Sequence, residues 1–157
     1  MQVLGKRVVT VENLTTFHDY AGAEDFVIYL GGFHNRTKRE FLMFLYEQNP
    51  NLEYRHFGDI DAGGFYILEH LKEKTGIPFL SMFMNVNTIK QYKEQSKTLT
   101  VKDRERIANL LNRIESKTKE DSSIEDYSDV LHFMLDYNCK LEQEAINLTK
   151  DWYTDMM

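Results

Sequence analysis

The sequence predicts an α/β fold: a mainly parallel central sheet of about four strands flanked by helices, with a helical C-terminal extension. Short apolar runs alternate with helical patterns over the first half of the chain. The runs are near-continuous rather than alternating, as a parallel sheet covered on both faces requires. Carboxylates stand at the C-terminal ends of two of these runs, which is the edge where such sheets bind ligands.

The strand-like runs are residues 7–11, 26–30, 53–57 and 78–84. Between the second and third, Thr37-Lys38-Arg39-Glu40 reads as a capping box, with Phe41, Phe44 and Leu45 on one face behind it. After the third run a helix starts near Gly63, buries Phe65, Leu68 and Leu71, and ends at Gly76 with Pro78 just beyond. After about Asn85 the pattern is wholly helical and polar. Thr100-Val101-Lys102-Asp103 is a second capping box, followed by Ile107, Leu110, Leu111 and Ile114. Residues 116–123 read as a charged linker, and the next helix carries Tyr127, Val130, Leu131, Met134 and Leu135. Leu141-Glu142-Gln143-Glu144 opens a last short helix. The expected division is an α/β core over residues 1–92 and a helical extension over 93–157 packed on the same domain.

With 157 residues, 42% of them apolar, the chain has the length for one domain with a real core. Cys139 stands alone, so no internal disulfide forms and a reducing cytoplasm is the expected compartment. The N-terminus has no signal peptide, and no run approaches the ~20 apolar residues that span a bilayer. A net charge of −6, from 19 basic and 25 acidic side chains, runs against the basic balance usual for nucleic-acid binding. A metal-dependent site carries excess carboxylate by design, and bound cations invert its local sign.

The richest stretch is Gly58-Asp59-Ile60-Asp61-Ala62-Gly63-Gly64. Two acids spaced i, i+2 at a strand end point the same way, and the glycines permit a sharp turn. Glu12 stands at the matching end of the first run, so Glu12, Asp59 and Asp61 are expected to converge as hard oxygen ligands suited to Mg²⁺ or Mn²⁺. Turn-forming acids are the competing reading. An EF-hand fits poorly, because His70 falls where the loop needs its last Glu. A phosphatase with a nucleophilic Asp would carry the pair after its first strand, whereas here it follows the third. Asn13 either orients Glu12 or caps the next turn. His34, Arg36, Lys38 and Arg39 fall on the same edge as the acids and form either a phosphate (DNA) seat or a solvated basic face. His18, His56, His70 and His132 lack a zinc-like spacing. Phe41, Phe44 and Phe65 are expected in the core.

The words Val11-Glu12-Asn13-Leu14-Thr15-Thr16-Phe17, Tyr29-Leu30-Gly31-Gly32, Phe57-Gly58-Asp59-Ile60-Asp61-Ala62-Gly63-Gly64-Phe65 and Leu141-Glu142-Gln143-Glu144, in this order, carry a resemblance. The chain resembles the Toprim domain of topoisomerases, primases and several nucleases, and within that superfamily the C-terminal domain of the JetD family, nuclease subunits of bacterial Wadjet anti-plasmid systems. The resemblance implies a Toprim fold and a Mg²⁺- or Mn²⁺-dependent endonuclease with Glu12, Asp59 and Asp61 as catalytic and metal-binding residues. It also implies that Glu142 or Glu144 closes the metal site from outside the sheet. The implied partners are double-stranded plasmid DNA, a condensin-like SMC complex and a second copy of the full-length subunit; no membrane is implied. The family's usual N-terminal DNA-binding region is missing, so the chain reads as an excised domain or a truncated product, and it is expected to bind DNA poorly by itself. A non-catalytic Toprim module for DNA docking or assembly is the alternative. Primase-like transfer fits less well, because primases carry glycine directly after the first acid and this chain has Asn13.

Overall fold

A computed structural model describes residues 1–20 and 24–148. In chain order the elements are β1 (Arg7–Val11), α1 (Leu14–Asp19), β2 (Asp25–Tyr29), α2 (Arg36–Gln48), β3 (Glu53–Phe57), α3 (Ala62–Thr75), β4 (Leu80–Ser81), α4 (Val86–Gln91), β5 (Lys97–Thr98), α5 (Val101–Glu120), α6 (Ser128–Tyr137) and β6 (Cys139–Lys140), with short 3-10 turns at Lys93–Gln95 and Gln143–Ala145. The central sheet has the order β2-β1-β3-β4, with every pairing parallel. This is the predicted α/β architecture, and it is consistent with a Toprim-like arrangement.

The register positions the site. Val11 lies opposite Tyr29 on one side and Phe57 on the other, so β1, β2 and β3 finish level. The pairing carries on past the strand ends, where Leu30 N donates to Val11 O at 2.8 Å and Glu12 N to Phe57 O at 3.3 Å. β1 is central, and Val8, Val9, Thr10 and Val11 are all fully buried. At the opposite end of the strands Arg7 faces its register partner Asp25 in a bidentate pair, 2.7 and 3.0 Å. Tyr20 adds a hydroxyl donor to the same carboxylate at 2.6 Å.

Several elements depart from the pattern-based expectation. β4 is two residues long rather than spanning 78–84. Phe83 turns to a left-handed backbone, φ 61°, which ends the extended chain. α2 is capped by Asn35, whose side chain accepts from Lys38 N, and not by a box built on Thr37. Its buried stripe is Leu42, Leu45 and Asn49, which leaves Phe41 and Phe44 exposed instead of in the core. The rotation has a cause in the polar groups. The Asn49 side chain accepts from Val3 N at 2.9 Å and donates to Leu45 O at 2.9 Å. Tyr54 Oη also donates to Asn49 O at 3.1 Å. Those bonds require the Asn49 side of the helix to face inward. Phe65 is in the core as expected.

The second half is not wholly helical, since β5 and β6 pair antiparallel. The expected 116–123 linker begins later, because α5 continues to Glu120. Lys117 on its last turns reaches the buried Glu69 of α3 at 2.8 Å, and Glu69 also accepts from Lys72 and from Tyr127 Oη. Those three donors hold the Glu69 carboxyl below the usual range despite burial. The Thr100–Asp103 capping box is present as read from sequence. Among the described residues no helix is long and apolar enough to cross a membrane.

Among the glycines of the described residues, Gly64 meets the tightest steric condition. A Cβ there would stand 2.0 Å from the Asp59 carbonyl oxygen, a backbone atom that cannot swing away. Gly64→Ala should therefore cost about 3 kcal/mol or more in urea unfolding, at the upper end of overpacking penalties.

Candidate functional site

The level strand ends deliver the acids. Glu12 follows β1, and Asp59 and Asp61 lie in the loop after β3. Glu12 is held from behind: its Oε1 lies 3.2 Å from His56 Nε2, and the two side chains are 9% and 0% exposed. The His56 ring meets Thr10 Oγ1 through Nδ1 at 2.8 Å. Gly58 gives this pair its room, because a Cβ there would stand 2.4 Å from Glu12 Oε1 and 2.9 Å from His56 Nε2. Asp61 caps α3, accepting from Gly64 N at 2.7 Å.

The C-terminal segment closes the loop from outside the sheet. Ile60 and Leu141 exchange backbone hydrogen bonds of 2.8 and 3.0 Å. Asp59 Oδ1 accepts from Gln143 N at 2.7 Å. The Gln143 side chain is fully buried; it donates to Phe57 O at 2.6 Å and accepts from Asn13 N at 3.0 Å. Asn13 both caps α1, through Thr16 N at 3.0 Å, and donates to Glu144 Oε1 at 2.7 Å. Glu142 is paired with Lys97 at 2.7 Å on the surface. The structure thus brings Glu12, Asn13, Asp59, Asp61 and the 142–144 segment to one edge. Within that segment Glu144 touches Asn13, and Glu142 turns to Lys97.

Burial, with neighbouring acids adding to it, raises Asp59 and Asp61. Burial pushes the Asp59 carboxyl up to about 7, with Glu12, Asp61 and Glu142 adding repulsion against the stabilising Gln143 amide. Asp61 is also raised, mainly by burial and then by Glu12 and Asp103, opposed by Gly64 N and Lys140. As the side chains stand, no group of three or more His, Cys, Asp or Glu among the described residues is set to hold a metal ion. The donor chemistry nevertheless fits one. Each of the three acids has one oxygen committed within the protein, which leaves its other oxygen, and hard carboxylate oxygens with excess negative charge suit Mg²⁺ or Mn²⁺.

The basic residues on this edge are engaged. Arg36 pairs with Glu40 at 2.7 Å, Lys38 donates to Leu30 O and lies over the Tyr29 ring, and Arg39 donates to His34 O at 3.0 Å. His34 is 4% exposed and stacks on His70, ring centroids 4.8 Å apart. Burial, His70 and Arg39 hold its pKa down at about 4. Its ring is therefore not presented to a phosphate, unlike the expectation that grouped it with the cations. Arg36 remains highly exposed, its side chain 85% accessible.

Sequence reading missed Thr10, His56 and Gln143. A usable signal existed for the first two. Both lie within strands read as fully covered, where a polar side chain must find a partner, and they occupy the same register position. Gln143 was visible only as part of the C-terminal word.

A family model described as "Wadjet protein JetD, C-terminal" matches residues 1–154. A curated relative, Wadjet protein JetD of Bacillus cereus (strain Q1), is 28% identical over 89 residues, covering 54% of this chain and 22% of the relative. The match thus spans about a fifth of that relative's length.

The raised Asp59 carboxyl fixes the sign of a pH effect. Between its ordinary value of 3.8 and about 7, the folded state holds a proton that the unfolded state has lost. Stability is favoured by this group below about pH 4 and is lost as pH rises through about 7. In chelator, urea midpoints of the native protein minus those of Asp59→Asn should fall over that window. A flat difference would contradict the site's electrostatics. Gly58→Ala, by contrast with Gly64→Ala, meets side-chain rather than backbone atoms, the end of Glu12 at 2.4 Å and the His56 ring at 2.9 Å. It should leave the protein folded, cost less than about 2 kcal/mol, and displace the Glu12 carboxylate, seen as a loss of the His56–Glu12 contact in a crystal structure.

Proposed function

The chain belongs to the JetD C-terminal family, and from that premise we propose that it is a metal-dependent DNA endonuclease domain. It would act on plasmid DNA as part of a Wadjet defence system, with a condensin-like SMC complex as partner and a second copy of the longer subunit. The observation that carries the reading is the convergence of Glu12, Asp59 and Asp61 on one sheet edge, close enough that Glu12 and Asp61 raise the Asp59 carboxyl.

Asp59 and Asp61 would hold Mg²⁺ or Mn²⁺, with Glu12 as a further ligand or as the general base. Such an ion would neutralise charge developing on the scissile phosphate. Glu12 has its Oε1 fixed by His56, so the opposite oxygen is left to accept a proton from an attacking water. Asn13 and Gln143 keep the β1 end and the acid loop at a fixed separation, and in-line attack tolerates little error there. Of Arg36, Lys38 and Arg39, Arg36 is the exposed one and the better placed for a backbone phosphate.

A non-catalytic module for DNA docking or assembly is the second reading; its assembly form is favoured by the net charge of −6 and by the engagement of Lys38 and Arg39 within the protein. Two measurements separate them. Mn²⁺ at about 100 times its Kd should stabilise the folded chain by about 2.7 kcal/mol, and Asp61→Asn should shrink that gain. In the full-length protein with its SMC partners, Glu12→Ala, Asp59→Ala and Asp61→Ala should each abolish plasmid linearisation about as completely as the triple change, because the acids act as a unit. Full cleavage by a well-folded Asp59→Ala protein would leave the docking module as the better reading.

A further inference from the structure

We propose that His56 is a positioning residue for Glu12: an imidazole held through Nδ1 by Thr10, whose Nε2–H donates to Glu12 Oε1 and which does not itself ligate a metal. The inference rests on the reading of Glu12 as an active-site carboxylate, and it adds the device that aims it.

The argument is a count of protons. Thr10 Oγ1 has one hydrogen and two lone pairs. It lies 2.8 Å from His56 Nδ1 and 3.3 Å from Arg55 O. Glu12 as a carboxylate accepts and never donates, so its 3.2 Å contact requires a hydrogen on Nε2. With one hydrogen on the ring, Nδ1 accepts from the Thr10 hydroxyl; with two, Nδ1–H donates to Thr10 Oγ1 and the hydroxyl turns to Arg55 O, and in both cases Nε2–H faces Glu12. The excluded assignment is a neutral ring with its hydrogen on Nδ1, which leaves a bare Nε2 against a carboxylate oxygen.

The surroundings keep the ring in place. His56 is fully buried in β3, directly across from Thr10 in the parallel register. Gly58 leaves a gap beside Nε2 that any side chain would fill. Because Nε2–H is spent on Glu12 and Nδ1 on Thr10, the ring has no free lone pair for a cation. Its effect is on Glu12: with one oxygen pinned, rotation about the last side-chain bond is restricted and the other oxygen is held in a single direction.

Long-range ¹H–¹⁵N imidazole spectra of the metal-free 157-residue chain at neutral pH read the arrangement directly. The expected pattern is a protonated Nε2 at His56. A bare Nε2 would overturn the proposal. Thr10→Val should shift the Nδ1 resonance and Thr10→Ser should restore it; an unchanged spectrum in Thr10→Val would also count against the proposal. Mn²⁺ binding, followed by electron paramagnetic resonance, should weaken about 10- to 100-fold in His56→Leu and recover in part in His56→Gln, which keeps an N–H donor. Unchanged affinity in a folded His56→Leu protein overturns the positioning role. A native chain with no Mn²⁺ affinity would instead defeat the metal reading of the site, while the ring spectrum would still decide whether Nε2 is protonated.

Discussion

The buried side chain of Gln143 is the contact on which the site geometry depends. It donates to the last carbonyl of β3 and accepts from the first amide after Glu12, while its backbone N–H holds Asp59. One residue thus fixes the separation between two strand ends and the posture of an acid in the loop beyond them. A buried amide can do this because its donor and acceptor lie at opposite ends of one rigid plane. Loss of either partner would leave a polar group unpaired in a dry place, at a cost of about 1–3 kcal/mol.

That clamp works against a repulsive load. Burial and neighbouring carboxylates raise Asp59 and Asp61 together, so the fold spends stability to hold like charges on one edge. The interior opposes this with hydrogen bonds aimed at single oxygens: Gln143 N on Asp59, Gly64 N on Asp61, His56 on Glu12. Elsewhere the same chain treats a buried acid differently. Glu69 is surrounded by Lys72, Lys117 and Tyr127 and is held below its usual pKa. The contrast separates an acid held below its usual pKa by its own cationic and hydroxyl neighbours from acids that burial and nearby carboxylates push above theirs.

The parallel sheet was legible because β1 and β2 are short, largely apolar runs separated by helical patterns. The acid loop was legible because carboxylates and glycines at a strand end are both conspicuous and topologically constrained. What stayed hidden depends on pairings between distant residues. Phe41 and Phe44 have the spacing of a core face, yet the Asn49 side chain turns α2 so that Leu42 and Leu45 go inward; hydrophobicity alone cannot report a rotation set by a polar anchor. β4 ended at Ser81, two residues before a left-handed Phe83 that no turn residue announces. His56 looked ordinary because its meaning lies in Thr10 and Glu12, 46 and 44 residues away.

The separation between Asn13 and Gln143 is 130 residues, and it has a consequence for the order of events during synthesis. Glu12, Asp59 and Asp61 leave the ribosome well before the segment that clamps them. Until Gln143 emerges, nothing joins the β3 carbonyl to the β1 end in the way the finished protein does, and Asp59 lacks its backbone donor. A nascent chain therefore carries the acids without their final spacing. The site is completed by nearly the last part of the described chain to be made, which ties its maturation to the translation of a full domain.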